Sequence, residues 1–74
     1  MKLQITPEQI KIGEVFKAER KKQKLTIKFL ESKTGTKPGY VSRFENGKYN
    51  PKLSTLILFA NTLKIKLKTV FEDL

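Results

Sequence analysis

Cysteine and histidine are both missing from this chain of 74 residues. Their absence excludes disulfides, thiol chemistry, most zinc sites and the commonest general base. Acidic groups are scarce too, with a single aspartate, Asp73, and no pair of carboxylates placed to share a face. Nothing is left to carry acid-base or nucleophilic catalysis, so the chain is not expected to be an enzyme. No apolar run approaches the roughly 20 residues that a membrane span needs, and MKLQIT lacks the apolar core of a signal peptide. The expectation is a cytoplasmic protein without a cofactor or metal.

What the chain has in excess is positive charge: 16 Lys plus Arg stand against 7 Asp plus Glu, a formal net charge of +9. That balance suits a polyanionic partner, the alternative being a lysine-rich surface that serves solubility alone. The length allows one domain. A chain of this size buries only about 60% of its unfolded surface, so nearly all of its apolar content is needed for the core.

The apolar pattern is helical throughout. Thr6-Pro7-Glu8-Gln9 reads as a helix start, with Thr6 at the N-cap, Pro7 in the first turn and Gln9 completing a capping box; the helix should run to about Lys22 with Ile12 and Phe16 in the core. Lys21, Lys22 and Lys24 follow, serving either a partner or the negative end of the helix dipole. Thr26 should cap a second short helix, which Gly35 ends after Ile27, Leu30 and Thr34 have shared one face. Pro38 cannot sit inside a helix but starts one well, so a third should run from Pro38 to about Asn46, stopped at Asn46-Gly47. Leu53, Leu56, Phe59, Ala60 and Leu63 mark a buried face on a fourth, and Ile65, Leu67, Val70 and Phe71 mark a fifth. The domain is thus residues 6–74, all helix. Residues 1–5 form an arm, either a frayed tail or a strand that pairs with another chain.

Two short helices joined by a tight glycine turn describe a helix-turn-helix. From Ile12 to Phe71, through IGEVFKAERKKQKLT, GTKPGYVSRFENGKYNPKLSTL and LFANTLKIKLKTVF, the chain resembles the Cro/repressor (Xre-like) family of DNA-binding domains. The run from Tyr40 to Lys48, with Asn50-Pro51 behind it, is the specific part. The resemblance implies a compact five-helix, lambda-repressor-like domain, with Thr26 to Thr34 as the positioning helix and Lys37 to Asn46 as the recognition helix in the major groove. Val41 and Phe44 would then be inward anchors, leaving Lys37, Gly39, Ser42 and Arg43 toward the bases. Arg43 suits a bidentate pair with guanine O6 and N7. Phosphate contacts are expected from Thr26, Lys28, Tyr40, Asn46, Lys48 and Tyr49, together with the backbone of the Asn46-Gly47-Lys48 turn; for the two tyrosines, packing is the alternative. Arg20 and Glu45 match family positions that form an internal ion pair.

Several residues depart from the family pattern. Glu31 stands where a small residue is usual, so its carboxylate should lean outward or find Lys or Arg, with either a wider helix crossing or Phe29 taking up the packing. Ile27 replaces a phosphate-gripping Gln, leaving Thr26 and Lys28 to substitute. Gly39 has no side chain to read with, so DNA shape or a second subunit is expected to contribute. Lys64 stands where the fourth helix often ends in Gly, which implies a left-handed non-glycine residue.

The function expected from this resemblance is a sequence-specific, double-stranded DNA-binding transcriptional regulator. The alternative is the antitoxin subunit of a toxin pair, which would bind a protein toxin and autoregulate through DNA; Leu58 and the Leu3/Ile5 arm would be its candidate contacts. Family dimers meet near the loop before the fifth helix, here Lys64-Ile65-Lys66 with Lys68 behind. Their like charges imply a monomer in free solution that pairs on two-fold DNA sites.

Overall fold

The computed structural model describes residues 6–72 and Leu74. The expected arm at residues 1–5 lies outside them. Among the described residues five helices follow one another: α1 (Pro7–Lys22), α2 (Ile27–Thr34), α3 (Tyr40–Glu45), α4 (Leu53–Leu63) and α5 (Leu67–Glu72). Among the described residues no helix is long and apolar enough to cross a membrane.

α1 and α2 begin where local chemistry places them. The Gln9 amide donates to Thr6 Oγ1 at 3.2 Å, and the Thr6 amide donates back to Gln9 Oε1 at 2.8 Å. At α2 the Phe29 amide donates to Thr26 Oγ1 at 3.0 Å, and Gly35 closes the helix in the left-handed region. α4 ends on Lys64 at φ 58°, ψ 38°, the left-handed lysine that the missing glycine implied. Lys24, just past α1, takes the same conformation at φ 60°.

α3 is shorter than expected. It starts at Tyr40, because Pro38 and Gly39 form a turn before it, closed by the Tyr40 amide donating to the Lys37 carbonyl at 3.1 Å. Gly39 sits at φ 87°, ψ −15°, the left-handed corner that a type II turn places after its proline. Proline here opens a turn, not a helix.

The core is built on three phenylalanines from three helices. Phe16 meets Phe44 edge-on with ring centres 5.3 Å apart, Phe44 stacks on Phe59 at 5.3 Å, and Phe16 and Phe59 are 6.5 Å apart. Leu30, Val41, Leu56, Ala60, Leu63 and Val70 complete it. Each fully buried large side chain contributes about 1.5 to 3 kcal/mol, and each aromatic pair roughly 0.5 to 1.5 kcal/mol more. Some expected core residues fall short. Ile12 is only half-buried against the cluster, and Leu53, the first residue of α4, is 63% exposed. Ile65 lies in the connection before α5, and Phe71 is exposed on the outer side of that helix.

Two contacts set how α1 lies against the rest. Gly13 packs directly on the carbonyl oxygen of Phe44, and a Cβ at Gly13 would also stand 3.1 Å from the Glu45 carbonyl oxygen, so α1 and α3 approach backbone to backbone. At the far end of α1, the Gln23 side-chain amide donates to the Leu63 carbonyl at 2.6 Å and joins it to the end of α4. Neither contact was legible in the chain order.

Candidate nucleic-acid interface

With only six residues, α3 has a simple division of faces. Val41, Phe44 and Glu45 point inward at 0%, 2% and 3% exposure. Ser42 and Arg43 therefore turn outward, Arg43 fully and Ser42 partly. Lys37, just before the helix, and Lys48, just after it, are exposed as well. Of the expected base-reading residues, Lys37 and Arg43 are thus exposed, Gly39 and Ser42 partly so, and the Arg43 guanidinium lies beside Gly39.

The inward Glu45 is paired with Arg20, which is itself engaged in two directions at once. Arg20 Nε donates to Glu45 Oε2 at 2.7 Å and Nη2 donates to Oε1 at 3.0 Å, a bidentate pair, while Nη1 donates to the Leu25 carbonyl at 2.7 Å. Both side chains are buried, and among the described residues every buried side-chain nitrogen or oxygen has a partner. The expected internal pair is therefore present. It pins the last turn of α3 to the last turn of α1. Desolvation offsets much of its attraction, so what it contributes is chiefly orientation.

The turn after α3 differs from the expectation. Its backbone amides are committed inward: Asn46 donates to the Ser42 carbonyl at 3.0 Å, Gly47 to Phe44 at 3.1 Å and Lys48 to Arg43 at 2.8 Å. These bonds satisfy the orphan carbonyls at the helix end, so the amides are not available to phosphates. The Asn46 side chain does the same, donating to the Ser42 carbonyl at 2.9 Å. Polar capacity outward comes from the exposed Lys48 ammonium.

Tyr40 and Tyr49 are brought together, edge to face at 4.5 Å, with Tyr40 also 6.0 Å from the Phe59 ring. Packing thus accounts for both rings. Burial, with Tyr49 adding to it and Thr55 opposing, holds the Tyr40 phenol above its ordinary value of 10.0, so it stays neutral. Thr26 and Lys28 lie at the start of α2, on a different element from the α3 group; the Thr26 oxygen is engaged as the cap, and Lys28 is exposed.

Glu31 takes neither of the courses expected of it. Its Oε2 accepts the Gly39 amide at 2.9 Å, so the carboxylate reaches from α2 to the N-cap residue of α3. Phe29 remains 38% exposed, with Lys33 Nζ 5.6 Å above its ring, and takes up no packing in its place. The sequence signal was there, an acidic residue at a position where a small one is usual, but its partner lies eight residues away.

A family model described as Helix-turn-helix matches residues 16–70. The chain is 37% identical over 62 residues to the immunity repressor protein of Bacillus phage phi105, covering 84% of this chain and 43% of that protein. Its fold is similar to that of the clp gene regulator ClgR of Corynebacterium glutamicum, with a TM-score of 0.84 at 19% identity over 92% of this chain and 72% of that one. It is also similar to the restriction-modification controller protein C.Esp1396I, solved as a tetramer in complex with its natural 35 base-pair operator, with a TM-score of 0.79 at 24% identity over 90% and 88% of the two chains. The chain therefore spans less than half the length of the phage repressor that it matches.

Proposed function

Since the chain belongs to the helix-turn-helix family, whose model spans residues 16–70, we propose that it binds double-stranded DNA as a transcriptional regulator, with α3 in the major groove. The observation that carries this reading is the division of α3 itself. A short helix is pinned at its end by a buried, bidentate ion pair and presents Arg43 outward between two exposed lysines, Lys37 and Lys48. A rigid helix aims a guanidinium well, and guanine offers it two acceptors in the major groove. Lys28 and Lys48 act on phosphates, fixing register without reading sequence. Thr26, Asn46, Tyr40 and Tyr49 contribute there only through the capacity their internal contacts leave free. The proteins named above are an immunity repressor, a gene regulator and a restriction-modification controller, which favours this reading over an antitoxin.

Two measurements test it. Selection from a random duplex pool should recover a defined motif, and affinity for that motif should fall with salt at a log-log slope of roughly −4 to −5, as four to six phosphate contacts per subunit require. A flat salt response, or a pool with no enrichment, refutes the proposal.

On assembly, we infer that the free chain is a monomer that pairs on two adjacent half-sites. Lys64, Lys66 and Lys68 are all exposed around the start of α5, and a two-fold contact there would oppose three positive charges to three. DNA partly neutralises them and raises the local concentration of a second copy. Light scattering at tens of micromolar should report a monomer. A stable dimer would instead place the contact on α4, where Leu53, Ile57 and Leu58 are exposed.

A further inference from the structure

Gly39, the N-cap residue just before α3, is touched from two sides. Its amide is taken by Glu31 Oε2 at 2.9 Å. A Cβ placed on it would stand 3.1 Å from Arg43 Nη1 and 3.7 Å from Arg43 Cζ. The Arg43 side chain therefore runs back along α3, as long side chains on helices do, and lays its guanidinium over Gly39. It fills the space that a reading side chain at position 39 would otherwise occupy. Gly39 is also at φ 87°, where any residue with a Cβ is strained. Its amide, being engaged, is not free to bind a phosphate, so whatever Gly39 contributes to recognition passes through Arg43.

We infer that Glu31 is a positioning residue for DNA reading: by holding the Gly39 amide it fixes the left-handed corner against which the Arg43 guanidinium rests, and so sets the base-pair step that Arg43 meets. The inference rests on the DNA-binding reading above and deepens it. Three facts converge on it. No side chain of its own caps α3, because the N-cap residue is Gly39. A six-residue helix has too few internal bonds to hold its own first turn, and an acidic acceptor is the favoured partner for a helix start. Glu31 comes from α2, so the bond also ties the two helices of the motif together at the point where one of them reads. A carboxylate at this position is thus a specificity element that never touches a base.

The test uses the full chain, the duplex recovered by selection and a scrambled duplex of the same length. Glu31→Ala should lower the ratio of selected to scrambled affinity about tenfold, within the discrimination that one bidentate arginine supplies, while affinity for the scrambled duplex is retained. Glu31→Gln keeps an acceptor for the Gly39 amide and should restore the ratio to within about threefold of the parent chain. In an Arg43→Ala background, Glu31→Ala should cost no further discrimination, since its effect acts through that side chain. All variants are compared at a temperature where circular dichroism shows them folded. In the free protein, NMR should show the Gly39 amide and the Arg43 Nε–H more mobile in Glu31→Ala and unchanged in Glu31→Gln. The inference is overturned if Glu31→Ala keeps the ratio, if its loss is the same with Arg43 absent, or if Arg43 is equally ordered in all three chains. A parent chain that prefers no duplex overturns the DNA reading itself, and is seen before any variant is made.

Discussion

At the start of α1, Thr6 accepts the amide of Gln9 and Gln9 returns the favour, so residues three apart in sequence close the helix by themselves. At the start of α3, Gly39 has nothing to offer, and the acceptor arrives from Glu31 on the preceding helix. Both contacts satisfy a backbone donor, and each is worth about 1 kcal/mol by the usual measure of a helix cap. They differ in what else they determine. The Thr6 bond acts on one helix, which would lie against the core in the same place without it. The Glu31 bond fixes where one helix begins relative to another, and with it where Arg43 points. The other end of α3 repeats the second pattern, with Arg20 reaching Glu45 from α1. A helix of six residues is thus held at both ends by side chains from its neighbours.

Breaking the strongest cross-helix contact should have the largest effect. Glu45→Ala leaves Arg20 buried without its counter-charge, and such a loss costs about 3 to 5 kcal/mol. Urea unfolding should show it, and a midpoint equal to that of the parent chain would mean that the pair is exposed or absent in solution. Next, Arg43→Ala should cost about 1 to 3 kcal/mol on the selected duplex, relax base choice, and leave the unfolding midpoint in place. Thr6→Ala should cost roughly 1 kcal/mol of stability and leave the order of preferred duplexes unaltered, which sharpens the contrast with Glu31→Ala. If Thr6→Ala changed base preference, local and cross-helix caps would not differ in the way described. The smallest effect belongs to Lys48→Ala, which should weaken selected and random duplexes alike and reduce the salt slope by about 1. Unequal losses there would make Lys48 a base reader.

Much of the fold was legible because its signals are local. The threonine caps and the left-handed Gly35 were readable one turn at a time, whereas the left-handed Lys64 was readable only through family resemblance. The Arg20 and Glu45 pair was readable only through family resemblance, since 25 residues separate them and no spacing rule connects them. The site was half legible. Val41 and Phe44 inward and Arg43 outward follow from helical period. The turn at Asn46-Gly47-Lys48 was read as outward-facing because nothing in the chain says whether an amide is already used, and here all three close α3.

By itself, then, the sequence determined five helices, a small core rich in phenylalanine and leucine, and a strongly basic composition, since these depend on composition and on contacts within a turn or two. Tertiary structure alone decided that Leu53 stands outside the core and that Gly13 lets α1 press against the α3 backbone. It also decided the role of Glu31. A lone carboxylate in a sequence has many partners within reach, and the choice of the Gly39 amide was made only when α2 and α3 packed together and left that donor without any other acceptor.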